Sequence, residues 1–314
     1  MTDQPLAGKA AVVTGGSRGL GKATAIELGA AGATVYVTAR SLDAPAGPMP
    51  GTAAETARAV TDAGGVGIGV GCDHADDAQV AALFDRVGDE QGGLDLLVNN
   101  VFPSPDTVSA LGPGWGGPPF WQTPVDSWDA LFTIAVRGHY VATQKAMPLL
   151  LERSGLIVNV SSCGAVHYFM SPLYGTGKAA GHRLMLDMHH ELRDYPVSIL
   201  SIWPGIVRTE FIGAMLDQNP RAVESLLREG WAQFADTDER LANISDDELI
   251  ALTETPHYAG RAIAALAADD GVAKKAGRAH PVVLLADEYG FTDTDGRRPD
   301  AFRFRETTAW PALG

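Results

Sequence analysis

Short apolar runs alternate with longer stretches of mixed polarity along most of the chain. Ala10–Thr14, Thr34–Thr38, Val66–Gly71, Leu96–Val98 and Val158–Val160 are such runs. Each is short enough for a strand and too uniformly apolar for a half-exposed one. The alternation continues to about residue 285 and predicts a repeated strand–helix unit, hence a single α/β domain over 1–285. Between the strands lie predicted helices. Lys22 to about Ala31 is alanine-rich. Thr123-Pro124-Val125-Asp126 opens a long middle helix, with Pro124 at its first position. Ser245 to Glu248 reads as a capping box for a short helix reaching Leu252.

Three segments break the pattern. Residues 41–51 are rich in Pro and Gly and predict a loop. Residues 102–122 carry five prolines and four glycines together with Phe102, Trp115, Phe120 and Trp121. This loop follows a strand's carboxyl end, where open α/β sheets bind ligands. Two readings stand for it: a wall of a substrate site, or a surface loop folded back on itself. Residues 206–255 form the third, with helical stretches such as Arg221–Phe234. The tail, 286–314, is polar but holds Tyr289, Phe291, Phe302, Phe304 and Trp310. It is expected to pack on its own or a neighbouring subunit.

The strand ends carry the candidate chemistry. The first run leads into Gly15-Gly16-Ser17-Arg18-Gly19-Leu20-Gly21. A glycine-rich turn between strand and helix lets the backbone approach a pyrophosphate, which the helix N-terminus then holds. The second run ends at Ala39-Arg40. An acidic residue there would accept a ribose hydroxyl and favour NAD. Arg40, with Arg18 in the loop, instead suits a 2′-phosphate and so NADP(H); solvated arginines are the bland alternative. Farther on, Tyr174 and Lys178 lie four apart, on one helix face. A neighbouring cation lowers a phenol's pKa from about 10. Ser161, thirteen residues before Tyr174, supplies a hydroxyl for a substrate oxygen.

Taken in order, these motifs resemble those of the short-chain dehydrogenases/reductases over roughly residues 7–285. The resemblance implies a Rossmann-type, doubly wound parallel sheet in three layers, with a substrate lid near 206–255 and a C-terminal extension. It implies Ser161, Tyr174 and Lys178 as catalytic residues. It places Gly15, Ser17, Arg18, Gly19, Leu20, Gly21, Arg40, Asp73, Asn99, Tyr174, Lys178, Pro204, Gly205, Val207 and Thr209 around the cofactor. Asp73 would contact the adenine, and Pro204-Gly205 with Thr209 would lie against the nicotinamide. Further stretches, Arg137 to Tyr140, Trp203 to Glu210 and Tyr289 to Arg297, are similar to a subgroup associated with NADPH-dependent carbonyl reduction, steroids included. The family also implies a homodimer or homotetramer through helices near 126–151 and 173–194, which carry Leu149, Leu150, Leu151, Leu184, Met185 and Met188.

Two departures stand out. Where most members have an asparagine that completes a water relay from the lysine, this chain has Ala135. His139, four residues on, is a candidate substitute; a packed helix histidine is the alternative. The family's N-N-A-G motif reads Asn99-Asn100-Val101-Phe102, and Phe102 with Pro103 replaces a glycine turn. His167 and Tyr168 are candidate substrate contacts, and His189-His190 forms no metal set.

Composition narrows the partners. Hydrophobic residues make up 46% of 314, ample for a core, and the net charge is −14. Lys and Arg do not cluster, which argues against nucleic acid and anionic membranes. No apolar run approaches the roughly 18 residues that span a bilayer. The N-terminal residues have no apolar signal segment. Cys72 and Cys163 have neither zinc nor disulfide spacing, which fits a reducing, cytoplasmic setting. The expected substrate is a small-molecule carbonyl or alcohol of apolar character, with bulky apolar ketones favoured. A non-catalytic NADP-binding redox sensor is the alternative of another class; such proteins often lose the tyrosine or lysine retained here.

Overall fold

In a strand, successive side chains point to opposite faces, and that rule decides the layering. In β1 (Ala10–Val13), Ala11 and Val13 enter one buried cluster, and Ala10 and Val12 enter another. β2 (Thr34–Ala39) divides Val35 and Val37 from Tyr36. β4 (Leu96–Asn99), β5 (Leu156–Val160) and β6 (Ser198–Trp203) divide likewise. Both faces are covered, so these strands read as continuous apolar runs rather than alternating ones. The computed structural model describes residues 4–45, 47, 49–103, 118–212, 245, 248 and 251–300.

With β3 (Val66–Gly71) and β7 (Ala279–Pro281), the strands form a seven-stranded sheet in the order β3-β2-β1-β4-β5-β6-β7. Every pairing is parallel. One face is covered by α1 (Gly19–Ala30), α2 (Ala53–Asp62), α7 (Pro256–Ala268) and α8 (Val282–Tyr289). The other is covered by α3 (Asp77–Gln91), α5 (Gly138–Arg153) and α6 (Pro172–Leu192). This is the predicted doubly wound, three-layer sheet. The strand order reverses between β1 and β4, which opens a crevice at their carboxyl ends.

The middle helix differs from its prediction. Pro124 is the residue before the first helical turn, not within it, and α4 spans Val125–Leu131. A π-helical turn, Phe132–Arg137, then separates α4 from α5. The capping box at Ser245 forms as predicted: the Glu248 carboxylate accepts the Ser245 N–H at 2.9 Å, and Ser245 Oγ accepts the Glu248 N–H at 3.3 Å. The stretch Arg221–Phe234 lies outside the described residues.

The start of the tail packs on its own chain. Phe291 meets Tyr258 edge to face at 5.4 Å. Asp293, buried, accepts the Thr255 N–H at 2.7 Å, and Arg261 donates to the Thr292 carbonyl at 2.7 Å. Phe302, Phe304 and Trp310 are outside the described residues.

Candidate active site

The crevice is a cleft of about 400 Å³. One end is the glycine loop. Gly15 has φ +68°, and a Cβ there would meet Val101 Cα at 2.8 Å. A Cβ on Gly21 would overlap the Gly15 carbonyl oxygen at 2.4 Å. Only glycine allows the loop and α1 to cross this closely. Thr14 Oγ1 ties the crossing together, accepting the N–H groups of Asn100 and Val101 at 2.9 and 3.0 Å. At the start of α1, the Gly19 N–H donates to the Glu210 carboxylate at 2.8 Å, so the helix start already holds an anion. These features fit a dinucleotide's pyrophosphate.

Fourteen of the fifteen residues expected around the cofactor line this cleft: Asn99 does not. It is buried, and its amide donates to Thr143 and Asn159 at 2.9 Å each, locking β4 to β5 and α5. Asn100 lines the cleft instead. The run of two asparagines did not say which points inward; strand alternation decides it. Arg18 lies near Arg40. Burial lowers its pKa most, Glu210 counters this, and the like charge of Arg40 lowers it further. His74, also on the wall, pairs with Thr38 Oγ1 at 2.8 Å and is held down to about 4 by burial.

At the other end, Ser171 caps α6, accepting the Tyr174 N–H at 3.1 Å, with Pro172 in the first turn. The cap fixes Tyr174 in the first turn and Lys178 one turn later. The Tyr174 ring lies between the edges of Phe102 and Phe169, at 6.0 and 5.8 Å. Its hydroxyl bonds Ser162 Oγ at 3.2 Å, and Ser162 also accepts the Gly164 N–H at 3.2 Å. Ser161 lines the cleft too, but its Oγ is buried with no hydrogen-bond partner among the described residues. Sequence spacing singled out Ser161 and passed over its neighbour.

Lys178 Nζ donates to the Val160 carbonyl at 3.3 Å and stands over the Phe102 ring at 4.9 Å and the Tyr174 ring at 5.6 Å. The expectation that it pulls the phenol's pKa down is not met. Burial, the largest influence, raises the phenol, and the Ser162 bond only partly offsets it. Burial brings the amine itself down to about 8. Phe102, which replaces the glycine turn of the family's motif, thus forms a wall of the site.

Ala135 and His139 both border a small chamber beside Lys178, so the sequence alignment of Ala135 with the relay position is consistent with the geometry. His139 Nε2 bonds the Val101 carbonyl at 2.9 Å. His167 and Tyr168 do not line the cleft, whereas Phe169 and Met170 do. Phe120 and Trp121 are exposed and off the cleft wall; Trp115 is outside the described residues. Among the described residues no group of acidic, His or Cys side chains could hold a metal, and no helix is long and apolar enough to cross a membrane.

The short chain dehydrogenase family profile matches residues 9–220. Human dehydrogenase/reductase SDR family member 1 is 35% identical over 295 residues, covering 93% of this chain and 85% of its own. The 3beta-hydroxysteroid dehydrogenase 1 of Eggerthella lenta is 30% identical over 65% of this chain and 72% of its own. A short chain dehydrogenase structure from Mycobacterium thermoresistibile superposes with a TM-score of 0.73 at 22% identity, covering 98% of each chain, which bears on the fold alone.

Proposed function

The chain belongs to the short-chain dehydrogenases, and we propose that it uses NADPH to interconvert an apolar ketone or aldehyde and its alcohol. The family transfers hydride between a nicotinamide cofactor and a carbonyl or alcohol carbon. The observation that carries the finer reading is one cleft that holds Tyr174, Lys178 and two serine hydroxyls together with Arg18 and Arg40.

When bound, the nicotinamide supplies or takes the hydride. What remains for the protein is a proton at the substrate oxygen. Tyr174, held as a neutral phenol by burial, donates that proton in reduction and is left a phenolate; in oxidation the phenolate form takes the proton from the alcohol. Ser162 Oγ, within reach of the same phenol, is the better placed hydroxyl to steady charge on that oxygen. Ser161, the residue expected from spacing, borders both the cleft and the small chamber and has no hydrogen bond to Tyr174 among those described. Lys178 holds ammonium charge against the Phe102 and Tyr174 rings and would reach the ribose hydroxyls.

Arg18 and Arg40 repel each other until an anion lies between them, and their planar forks match phosphate oxygens. The Glu210 carboxylate would have to leave the Gly19 N–H for a pyrophosphate to take it. Cys72 and Cys163, both buried and neither in a disulfide, fit a cytoplasmic setting. Exposed Tyr140 and Leu151 on α5 support a homo-oligomer, whereas Leu150 and Met185 are spent on the core.

The test is kcat/KM on a ketone panel with NADPH and with NADH. A clear NADPH preference is expected. Better turnover with NADH would remove the NADPH assignment. Tight NADPH binding with no turnover of any carbonyl or alcohol would favour the redox-sensor reading instead.

A further inference from the structure

The first turn of α1 cannot be capped by its own sequence. Thr52 before α2, Asp76 before α3 and Ser171 before α6 each accept an N–H from the turn that follows. α1 is preceded by Arg18, whose guanidinium only donates. Its first residues, Gly19, Leu20, Gly21 and Lys22, bring no acceptor side chain. The positive end of this helix therefore takes its anion from elsewhere.

That anion is the carboxylate of Glu210, a residue 191 positions later, which accepts the Gly19 N–H at 2.8 Å. Arg18, Gly19, Thr209 and Glu210 all line the cleft, so this bond ties its two lips together. The approach is close: a Cβ on Gly19 would stand 3.4 Å from Thr209 Cγ2 and 3.8 Å from Glu210 Oε2. The carboxylate also steadies the Arg18 guanidinium against burial and against the like charge of Arg40. One acidic side chain thus engages a helix N-terminus and an arginine, the two kinds of group that hold a dinucleotide's phosphates. Glu210 is itself exposed, so its carboxylate can turn out to water without being buried elsewhere.

We propose that Glu210 is an internal competitor of the cofactor: it fills the pyrophosphate's place in the free protein, latches residues 209–212 to the glycine loop, and is displaced when a dinucleotide binds. Binding then breaks a contact before it makes its own, so the cofactor is held less tightly than the loop and the arginines alone would hold it. The latch re-forms as the cofactor leaves, which favours release after turnover. Displacement also frees Thr209, Phe211 and Ile212, which line the cleft, to settle against the bound cofactor. The proposal rests on the dinucleotide reading of the cleft but not on which dinucleotide, because NADPH and NADH share the pyrophosphate.

The test is Glu210→Ala, with Kd measured by fluorescence titration for NADPH and for NADH, and thermal melts run with and without NADPH. Kd should fall about three- to tenfold for both cofactors, the scale of one anion at a helix N-terminus. Without cofactor the variant should melt below the wild type, because α1 has lost its anion. At saturating NADPH the two should melt alike, because the side chain has been displaced. Glu210→Gln, which keeps an acceptor without the charge, should fall between. Unchanged Kd would overturn the latch, and weaker binding would make Glu210 a clasp over the bound cofactor instead. A variant that melts like the wild type when free and above it with NADPH would also overturn it, since general charge repulsion would then explain the tighter binding. Failure of wild type and variants alike to bind either dinucleotide would remove the cofactor reading and the latch together, whereas binding with an unchanged Kd removes the latch alone.

Discussion

The two ends of the cleft are built on different principles. The glycine-loop end is made of backbone: N–H groups at the start of α1, and crossings that a single Cβ at Gly15 or Gly21 would block. The tyrosine end is made of side chains that converge from β4, β5, α5 and α6: Phe102, Ser162, His139, Tyr174 and Lys178. Backbone sites announce themselves in the sequence, because only glycine can occupy them. Side-chain sites depend on which face of each element turns inward, and local spacing says little about that.

At the tyrosine end, the two adjacent serines should differ most. Ser162→Ala should lower kcat by about 10²–10³, the usual loss for one donor to a developing oxyanion. Ser161→Ala should cost less than tenfold. Steady-state kinetics on one good ketone decides between them. The reverse ranking would return the substrate oxygen to Ser161.

At the glycine-loop end the effect should be smaller and confined to the cofactor. Arg40→Asp removes a phosphate partner and adds a carboxylate. Charge-assisted contacts contribute roughly 1.5–3 kcal/mol, so kcat/KM with NADPH should fall about 10- to 100-fold while that with NADH holds or rises. Equal losses with both cofactors would mean that Arg40 does not read the 2′-phosphate.

The smallest effect lies under the loop that joins the two ends. Glu254 is buried beneath Gly205–Arg208; its N–H donates to the Ile206 carbonyl at 2.9 Å, and its carbonyl accepts the Arg208 N–H at 2.9 Å. Burial, only partly offset by the Gly205 N–H, raises its carboxyl from 4.5 to about 8. The folded state thus binds this proton more tightly than the unfolded chain. Its contribution is complete below about pH 4.5 and is lost as pH rises towards 8. Glu254→Gln should stabilise the fold at pH 8 by on the order of 1–3 kcal/mol and hardly at all near pH 4.5. Thermal melts at the two pH values check this; an equal shift at both would place the carboxylate's charge outside the core.

Much of the fold was legible because parallel strands buried on both faces leave uninterrupted apolar runs, as in β1 and β4. The glycine loop, Arg40 and the Tyr174–Lys178 turn were legible for the same local reason. The π-helical turn was not, because nothing in Phe132 to Arg137 breaks a helix. The inward asparagine was misjudged as Asn99, since a pair of identical residues carries no mark of face. Phe102, Ser162 and the buried Glu254 act only through partners distant in sequence. The phenol's raised pKa was missed because a charge can be read from a sequence and desolvation cannot.

If Tyr174 moves the proton while the rest of the cleft binds the cofactor, Tyr174→Phe separates the two. The ring would still fill its place between Phe102 and Phe169, but the transferable proton would be gone. NADPH affinity, measured by fluorescence titration, should stay within about twofold, and ketone reduction should fall by at least about 10²-fold, the lower range for general acid catalysis. Near-normal kcat in Tyr174→Phe, on any ketone that the wild type reduces well, would contradict the account.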